Sequence, residues 1–274
     1  MDVAGKTILI TGSTDGVGRL VAQRLGAGGA RLLVHGRDRA RGEAMVNEIA
    51  RAGNDQARFY AADLASLAEV RKLAADVRAD QPRLDVLVNN AGIGSANGGR
   101  QRRTSADGHE LRFAVNYLAG FLLTHLLLPL IRDSAPARIV NVASAGQHPI
   151  DFDDVMLTGS YDGSRAYAQS KLAQIMFTID LASALEGSGV TVNCLHPATY
   201  MDTTMVRQAG VHPVSTVEQG GEAILQLAVS PALEGKSGLY FNGLREARAD
   251  AQAYDAGARQ RLKTLSLELI ATAT

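Results

Sequence analysis

Apolar runs of strand length recur along this chain at about 6–11, 30–35, 57–61, 84–89, 137–143, 189–195 and 238–241, and helical patterns near 17–27, 38–51, 66–79, 108–132, 164–186 and 216–229 separate them. The runs are continuous rather than alternating. A strand that is apolar on both sides must be covered on both sides, which is the condition of a parallel sheet packed between helices. The expected fold class is therefore α/β: a single-domain, Rossmann-like, doubly wound parallel sheet of about seven strands with helices on both faces. In such a sheet ligands lie beyond the C-terminal ends of the strands.

A chain of 274 residues suffices for one large α/β domain or two small ones. No Pro/Ser-rich linker, low-complexity stretch or internal repeat divides it, so one domain over residues 1–274 is expected. Lys plus Arg number 28 and Asp plus Glu number 28, leaving no global field to draw a nucleic acid or an anionic membrane. The one cysteine, Cys194, sits in the apolar run Val190–Leu195 and reads as a small core residue of a protein from a reducing compartment. The first strand begins near residue 6, with no room before it for a signal segment. The longest apolar stretch, Phe121–Ile131, is about half of the roughly 20 residues that cross a bilayer. A cytoplasmic protein without a membrane anchor is expected.

The first apolar run, Thr7 to Thr11, leads into Gly12-Ser13-Thr14-Asp15-Gly16-Val17-Gly18 and then a helical pattern through Val21 and Leu25. A turn of this kind brings backbone N–H groups and a helix N-terminus up to a pyrophosphate, with glycines where a Cβ would obstruct it. Its Gly-x-x-x-Gly-x-Gly spacing departs from the Gly-x-Gly-x-x-Gly dinucleotide fingerprint, and a plain tight turn is the bland alternative. Far along the chain, Tyr167-Ala-Gln-Ser-Lys171 places a phenol and an ammonium at i and i+4 on one helical face. A cation there favours the ionised phenol and would bring its pKa from about 10 toward neutrality. Alone, the pair reads more readily as two surface residues of an amphipathic helix.

The Gly12/Gly16/Gly18 spacing, Asn89-Asn90-Ala91-Gly92, Ser144 and Tyr167-x-x-x-Lys171 occur in the order found in the short-chain dehydrogenase/reductases, and the chain resembles that family over nearly its whole length. Thr104-x-x-Asp107-Gly108-x-Glu110, Asn116-x-Leu118-x-Gly120-Phe-Leu-Leu-Thr124 and the long segment between Ser144 and Tyr167 resemble its retinol-dehydrogenase-like branch. The resemblance implies a nicotinamide cofactor held by the half up to about residue 135, with the catalytic and substrate-binding part from about 136 to 274. It assigns cofactor contacts to Gly12, Ser13, Thr14, Gly16, Val17 and Gly18, to Asp63 and Leu64 at the adenine, to Asn90, Ala91 and Gly92, and to Pro197, Ala198 and Thr199. Asp63 has helix N-capping as its structural alternative.

In family register the acid that selects NAD stands at about position 36, which is Gly36 here, and Arg37 follows it. A guanidinium fork suits a 2′-phosphate, so NADP(H) is expected rather than NAD(H). Two acids complicate this: Asp38, read as the N-cap of the helix over 39–51, and Asp15, at a position where NADP-dependent relatives carry a basic residue.

Hydride transfer to a carbonyl requires a proton donor at the developing oxyanion. Tyr167 is the candidate acid, with Ser144 orienting the carbonyl oxygen. Lys171 lowers the tyrosine pKa and, by resemblance, holds the nicotinamide ribose. Asn116, an amide in a helical run it does not favour, matches the residue that links Lys171 to solvent. A rival phenol, Tyr161, lies before the helix. The family usually has Pro-Gly-x-x-x-Thr after the sixth strand, whereas this chain has Pro197-Ala198 and Asp202, leaving open which later threonine reaches the nicotinamide.

Residues of about 198–215, 93–106 and 145–162 should roof the pocket, with Met201, Met205, Val206, Val211 and Val214 either as an apolar lining or as packing of the lid onto the core. The expected function is NADP(H)-dependent hydride transfer between nicotinamide and a lipophilic or aromatic ketone or aldehyde, or the corresponding alcohol. An NAD-dependent secondary alcohol dehydrogenase and a non-catalytic cofactor-binding sensor are the alternatives. No metal is expected, and a homodimer or higher homo-oligomer through helices 108–132 and 164–186 is.

Overall fold

Successive residues of the first strand, Thr7–Ile10 (β1), feed two separate cores. Ile8 and Ile10 pack with Leu32, Val86, Val88 and Val140 on one face, and Leu9 packs with Leu33, Leu87 and Ile139 on the other. This period-two division across fully buried strands is why no alternation was visible in the sequence. The computed structural model describes residues 3–95 and 101–271. Its other strands are β2 (Arg31–Gly36), β3 (Arg58–Ala61), β4 (Val86–Asn89), β5 (Ala137–Val142), β6 (Val190–His196), β7 (Tyr240–Asn242) and β8 (Arg245–Ala247). They form one sheet in the order β3-β2-β1-β4-β5-β6-β7-β8. All neighbours are parallel except β7 and β8. The order reverses between β1 and β4, and that switch point opens a crevice at the strand ends.

Helices α1 (Gly16–Ala27), α2 (Arg39–Arg51), α3 (Leu67–Asp80), α4 (Ala119–Asp133), α5 (Gly163–Ala184), α6 (Thr204–Gln208), α7 (Val217–Val229) and α8 (Ala256–Ala271) complete the architecture. α1, α2 and α7 cover one face of the sheet, and α3, α4 and α5 the other. Their starts are set by side chains that accept otherwise unpaired N–H groups: Asp38 from Arg41, Ser66 from Glu69, Asp162 from Arg165 and Thr216 from Gln219. Asp38 is thus the N-cap anticipated. Asp63 is not a cap: Ser66 starts α3, and Asp63 instead accepts from the Ala65 N–H at 3.0 Å.

Four features depart from the sequence expectation. The sheet has an eighth strand, β8, returned from β7 by the two-residue turn Gly243-Leu244 with Gly243 at φ 60°. The expected helix 108–132 opens as a wide π-turn, Phe113–Leu118, before becoming α4. Together these make Phe113–Asp133 a 21-residue run of mean hydropathy 1.7, long and apolar enough to cross a membrane, although 61% of it is buried inside the fold. Finally, α8 docks on α5 and the π-turn through a buried Tyr117–Ser266 hydroxyl pair at 2.8 Å and an Arg259–Asp180 ion pair at 2.8 Å.

Candidate active site

The glycine turn lies at the C-terminal end of β1, against the end of β4. Gly12 (φ 64°) and Gly16 (φ 54°) take left-handed conformations. A Cβ on Gly18 would stand 2.3 Å from the Gly12 carbonyl oxygen and 2.4 Å from the Asn90 amide nitrogen, so α1 enters directly under the turn. Asn90 donates its amide to the carbonyls of Thr11 (2.9 Å) and Gly12 (3.1 Å), which ties the turn to β4. Ser13 turns inward: its hydroxyl donates to the Ile10 carbonyl and accepts from the His35 N–H, and its own N–H donates to the His35 carbonyl at 3.0 Å, so neither its hydroxyl nor its N–H is turned to the crevice. Gly36 is packed against the same turn, and a Cβ there would meet the Thr14 Oγ1 at 2.8 Å.

Beside Gly36 at the rim, Arg37 is exposed and lies 3.9 Å from an exposed Asp63 oxygen. Asp15 accepts from the Gly16 N–H at 2.7 Å and pairs with Arg41 at 3.6 Å, and Asp38 also pairs with Arg41. Leu64 is buried behind Asp63.

Ser144, Tyr167, Lys171 and Asn116 converge at the ends of β4 and β5. Ser144 lies two residues past β5, its carbonyl held by the Tyr240 hydroxyl at 3.2 Å and its own hydroxyl accepting from the Gly146 N–H at 3.0 Å. Tyr167 and Lys171 sit one turn apart on α5, with the ammonium 5.8 Å from the tyrosine ring centroid. Burial raises the Tyr167 pKa and a hydrogen bond with Ser144 lowers it, burial being the larger effect. This is the opposite of the direction expected from a neighbouring cation. The reason is the depth at which the phenol lies; Lys171 for its part donates to the Val142 carbonyl and to Gln174, both at 2.9 Å, and burial pushes its own pKa down to about 7.

Asn116, carried on the π-turn, is buried rather than on a solvated face. Its oxygen accepts from the Ile93 N–H at 2.8 Å, and its amide donates to the Ile93 carbonyl and the Ser170 hydroxyl. The extra residue of a π-turn turns a side chain inward where an α-helix would not. Gly92 lies between the two groups: a Cβ there would be 3.2 Å from Asn116 Oδ1 and 3.5 Å from Lys171 Nζ. The glycine therefore keeps open the ground beside both.

Beyond β6, Thr199 pairs its hydroxyl with His196 at 3.1 Å, and Ala198 and Pro197 line the strand end. Tyr200 follows with φ 43° and is half exposed. Thr203 caps α6 and faces Gly16 across the crevice at 3.4 Å from where its Cβ would be. Met205 of α6 closes onto Gly94. Of the expected roof, residues 96–100 lie outside those described.

Several site residues carried no motif. Thr11 accepts the N–H groups of both Asn90 and Ala91 at 3.0 Å, and His35 accepts the Gly12 N–H on Nδ1 at 3.1 Å. Gln174 had one usable signal, a polar residue three positions after Lys171 on a helix otherwise apolar there. Tyr161 is removed as a rival acid: it donates to Glu110, and burial together with that carboxylate pushes its pKa up to about 12. A groove of about 930 Å³ crosses the opposite, N-terminal end of the sheet beside Arg138 and Glu234, away from all these groups.

This arrangement defines an oxidoreductase of the short-chain type, and a family model described as short chain dehydrogenase matches residues 6–212. The chain belongs to the short-chain dehydrogenase/reductase family. Within it the chain falls in the retinol-dehydrogenase-like branch. It is 37% identical to retinol dehydrogenase 13 of Mus musculus over 99% of this chain and 85% of that one, and 38% identical to retinol dehydrogenase 14 of Homo sapiens over 96% and 85%. Among solved structures, an uncharacterised protein from Mycobacterium Paratuberculosis superposes with a TM-score of 0.80 at 27% identity, covering 98% of this chain and 95% of that one. The Pseudomonas aeruginosa RhlG/NADP active-site complex gives 0.70 at 28% identity, covering 88% and 95%.

Proposed function

We propose that this protein is an NADP(H)-dependent reductase or dehydrogenase acting on lipophilic or aromatic carbonyl compounds or the corresponding alcohols. The observation that carries the reading is the meeting of Ser144, Tyr167, Lys171 and Asn116 at the strand ends beside a glycine turn shaped for a dinucleotide. Bound there, a nicotinamide cofactor supplies or accepts the hydride. Ser144 holds the carbonyl oxygen in line with the Tyr167 hydroxyl, which donates the proton as negative charge develops. Lys171 stands one turn below the phenol and faces the space that Gly92 leaves free, where the ribose hydroxyls would lie. Asn116 fixes the wall at Ile93 on the other side of that space. The turn residues Gly12 to Gly18, with Asn90, Ala91 and Gly92 beside them, hold the phosphates and adenine ribose. Pro197 to Thr199 border the nicotinamide.

The NADP(H) preference rests on position 36. A carboxylate side chain there would have to displace Thr14, whereas the neighbouring Arg37 guanidinium is exposed at the rim, 3.9 Å from Asp63. The two acids that counted against a phosphate are both paired with Arg41. The retinol dehydrogenases among the relatives support a lipophilic substrate, as does Met205 of the lid closing on Gly94; Met201, expected in the same lining, instead packs against Gly220 of α7, and Val214 is exposed.

The decisive experiment follows NADPH and NADH consumption with retinal, benzaldehyde and a set of aliphatic and cyclic ketones. Reduction of at least one carbonyl with NADPH preferred is expected; tight NADPH binding without turnover of any would favour a sensor. A cytoplasmic location and a homodimer remain part of the proposal. α8 covers part of α5, and the partly exposed Leu126, Leu128 and Leu130 of α4 remain for a second copy. A monomeric mass by light scattering at micromolar concentration would remove the dimer.

A further inference from the structure

Three consecutive carbonyls of the loop after β4 are taken by two side chains from the opening of the next helical run. Asn116 holds Ile93, and Arg112 holds Gly94 through Nε at 3.1 Å and Ser95 through a second guanidinium nitrogen at 2.5 Å. Arg112 is fully buried, and so is Glu110, whose carboxylate lies 3.6 Å from it. The Tyr161 hydroxyl closes the group, accepting from Arg112 and donating to Glu110 at 2.9 Å. The other Glu110 oxygen accepts from the Phe113 N–H at 2.8 Å, at the first residue of the π-turn.

A buried ion pair is a poor source of stability, because desolvating two charges offsets most of their attraction; its best-attested use is to fix one arrangement among several. The arrangement fixed here is specific. Arg112 and Glu110 join the loop at 94–95 to the segment before α5, which is also gripped by Arg102 donating to the Met156 carbonyl at 2.8 Å. Gly94 is in turn the surface onto which Met205 of the lid closes. The network therefore sits behind the wall between the lid and the Asn116–Lys171 side of the site, holding that wall through the Gly94 and Ser95 carbonyls.

We propose that Glu110, Arg112 and Tyr161 are positioning residues that set the substrate wall at residues 93–95 and thereby its fit to the carbonyl compound. This deepens the oxidoreductase reading and rests on it. Tyr161→Phe removes one hydroxyl and keeps the ring; Arg112→Lys keeps the charge and loses the planar fork. In both, KM for retinal and benzaldehyde is measured with NADPH, alongside kcat, the NADPH dissociation constant and amide hydrogen exchange. A wall displaced by a fraction of an ångström acts on substrate placement, so KM is expected to rise by about 5–50-fold while kcat and NADPH affinity change by less than about threefold. Exchange at 93–95 and around 156–161 is expected to rise while β1 and α1 keep their protection.

Unchanged KM for both substrates in both variants overturns the proposal, as does a fall in kcat at constant KM. If the wild-type protein reduces neither of these nor any ketone of the wider set, the proposed carbonyl-reducing activity is what has failed. Exchange alone then decides the network, and unaltered protection at 93–95 in both variants overturns it.

Discussion

The Lys171 ammonium is hydrogen-bonded to the Gln174 side chain, three residues along the same helix, at 2.9 Å, and to the Val142 carbonyl at the same distance. A buried cation with two oxygen acceptors keeps more of its charge than one left with a single acceptor. Gln174, itself buried, therefore acts on the protonation of Lys171.

Gln174→Leu is expected to lower the Lys171 pKa below its present value of about 7, so that the ammonium is lost at lower pH. NADPH titrations by fluorescence between pH 6 and 9 would show the loss of affinity beginning earlier in the variant, with binding several-fold weaker at neutral pH. Superimposable curves would mean that the Val142 carbonyl is sufficient.

Tyr167→Phe removes the proton donor and little else. Turnover is expected to fall by about 10²–10⁴ with cofactor affinity unchanged, the usual contribution of a placed acid. Lys171→Met should lose turnover and NADPH affinity together. Retention of more than about a tenth of wild-type turnover by Tyr167→Phe would place the acid on another residue.

Arg37→Ala tests cofactor selection. Loss of a charge-assisted contact to the 2′-phosphate is expected to weaken NADPH by about 1.5–3 kcal/mol and NADH hardly at all. Equal weakening of both would remove Arg37 from the role and turn attention to Arg41.

His35 predicts an acid limb in stability. Burial pushes its pKa from 6.5 down to about 4, and its Nδ1 already accepts the Gly12 N–H, so an added proton there would set two donors face to face. Below pH 6.5 the unfolded chain takes up that proton and the folded one does not. The contribution is whole above pH 6.5 and declines as pH falls toward 4. Between pH 7 and 5 the loss is about 2 kcal/mol from this group. Urea unfolding at the two pH values would measure it, and His35→Gln, which cannot titrate, should flatten that part of the profile.

The parallel sheet, though not the order of its strands, was legible because seven apolar runs had helices of the right period between them, and burial on both faces leaves that signature intact. β8 was not, since three residues such as Arg245-Glu246-Ala247 are too few to express a period. α8 was missed for a related reason: only Leu262 and Ser266 are buried along it, so its pattern is that of a solvated segment. At the site, Ser144, Tyr167, Lys171 and Asn116 were readable from spacing and resemblance, and the structure brings them together. The direction of the Tyr167 shift was not readable, because it depends on how deeply the phenol is buried. Arg112 shows the same limit, since a lone arginine in sequence gives no sign that its guanidinium lies wholly inside.

Adjacent residues of the wide turn Phe113–Leu118 point at different ends of the molecule, Asn116 toward Ile93 and Tyr117 toward Ser266 of α8. Deleting one residue there would restore ordinary helical winding and swing every preceding side chain by about 100°. Both attachments would be lost in a single event. Insertions and deletions at this point of the chain are thus barred by two unrelated parts of the protein at once, and its length can drift only by changes that rebuild the catalytic wall and the seat of the last helix together.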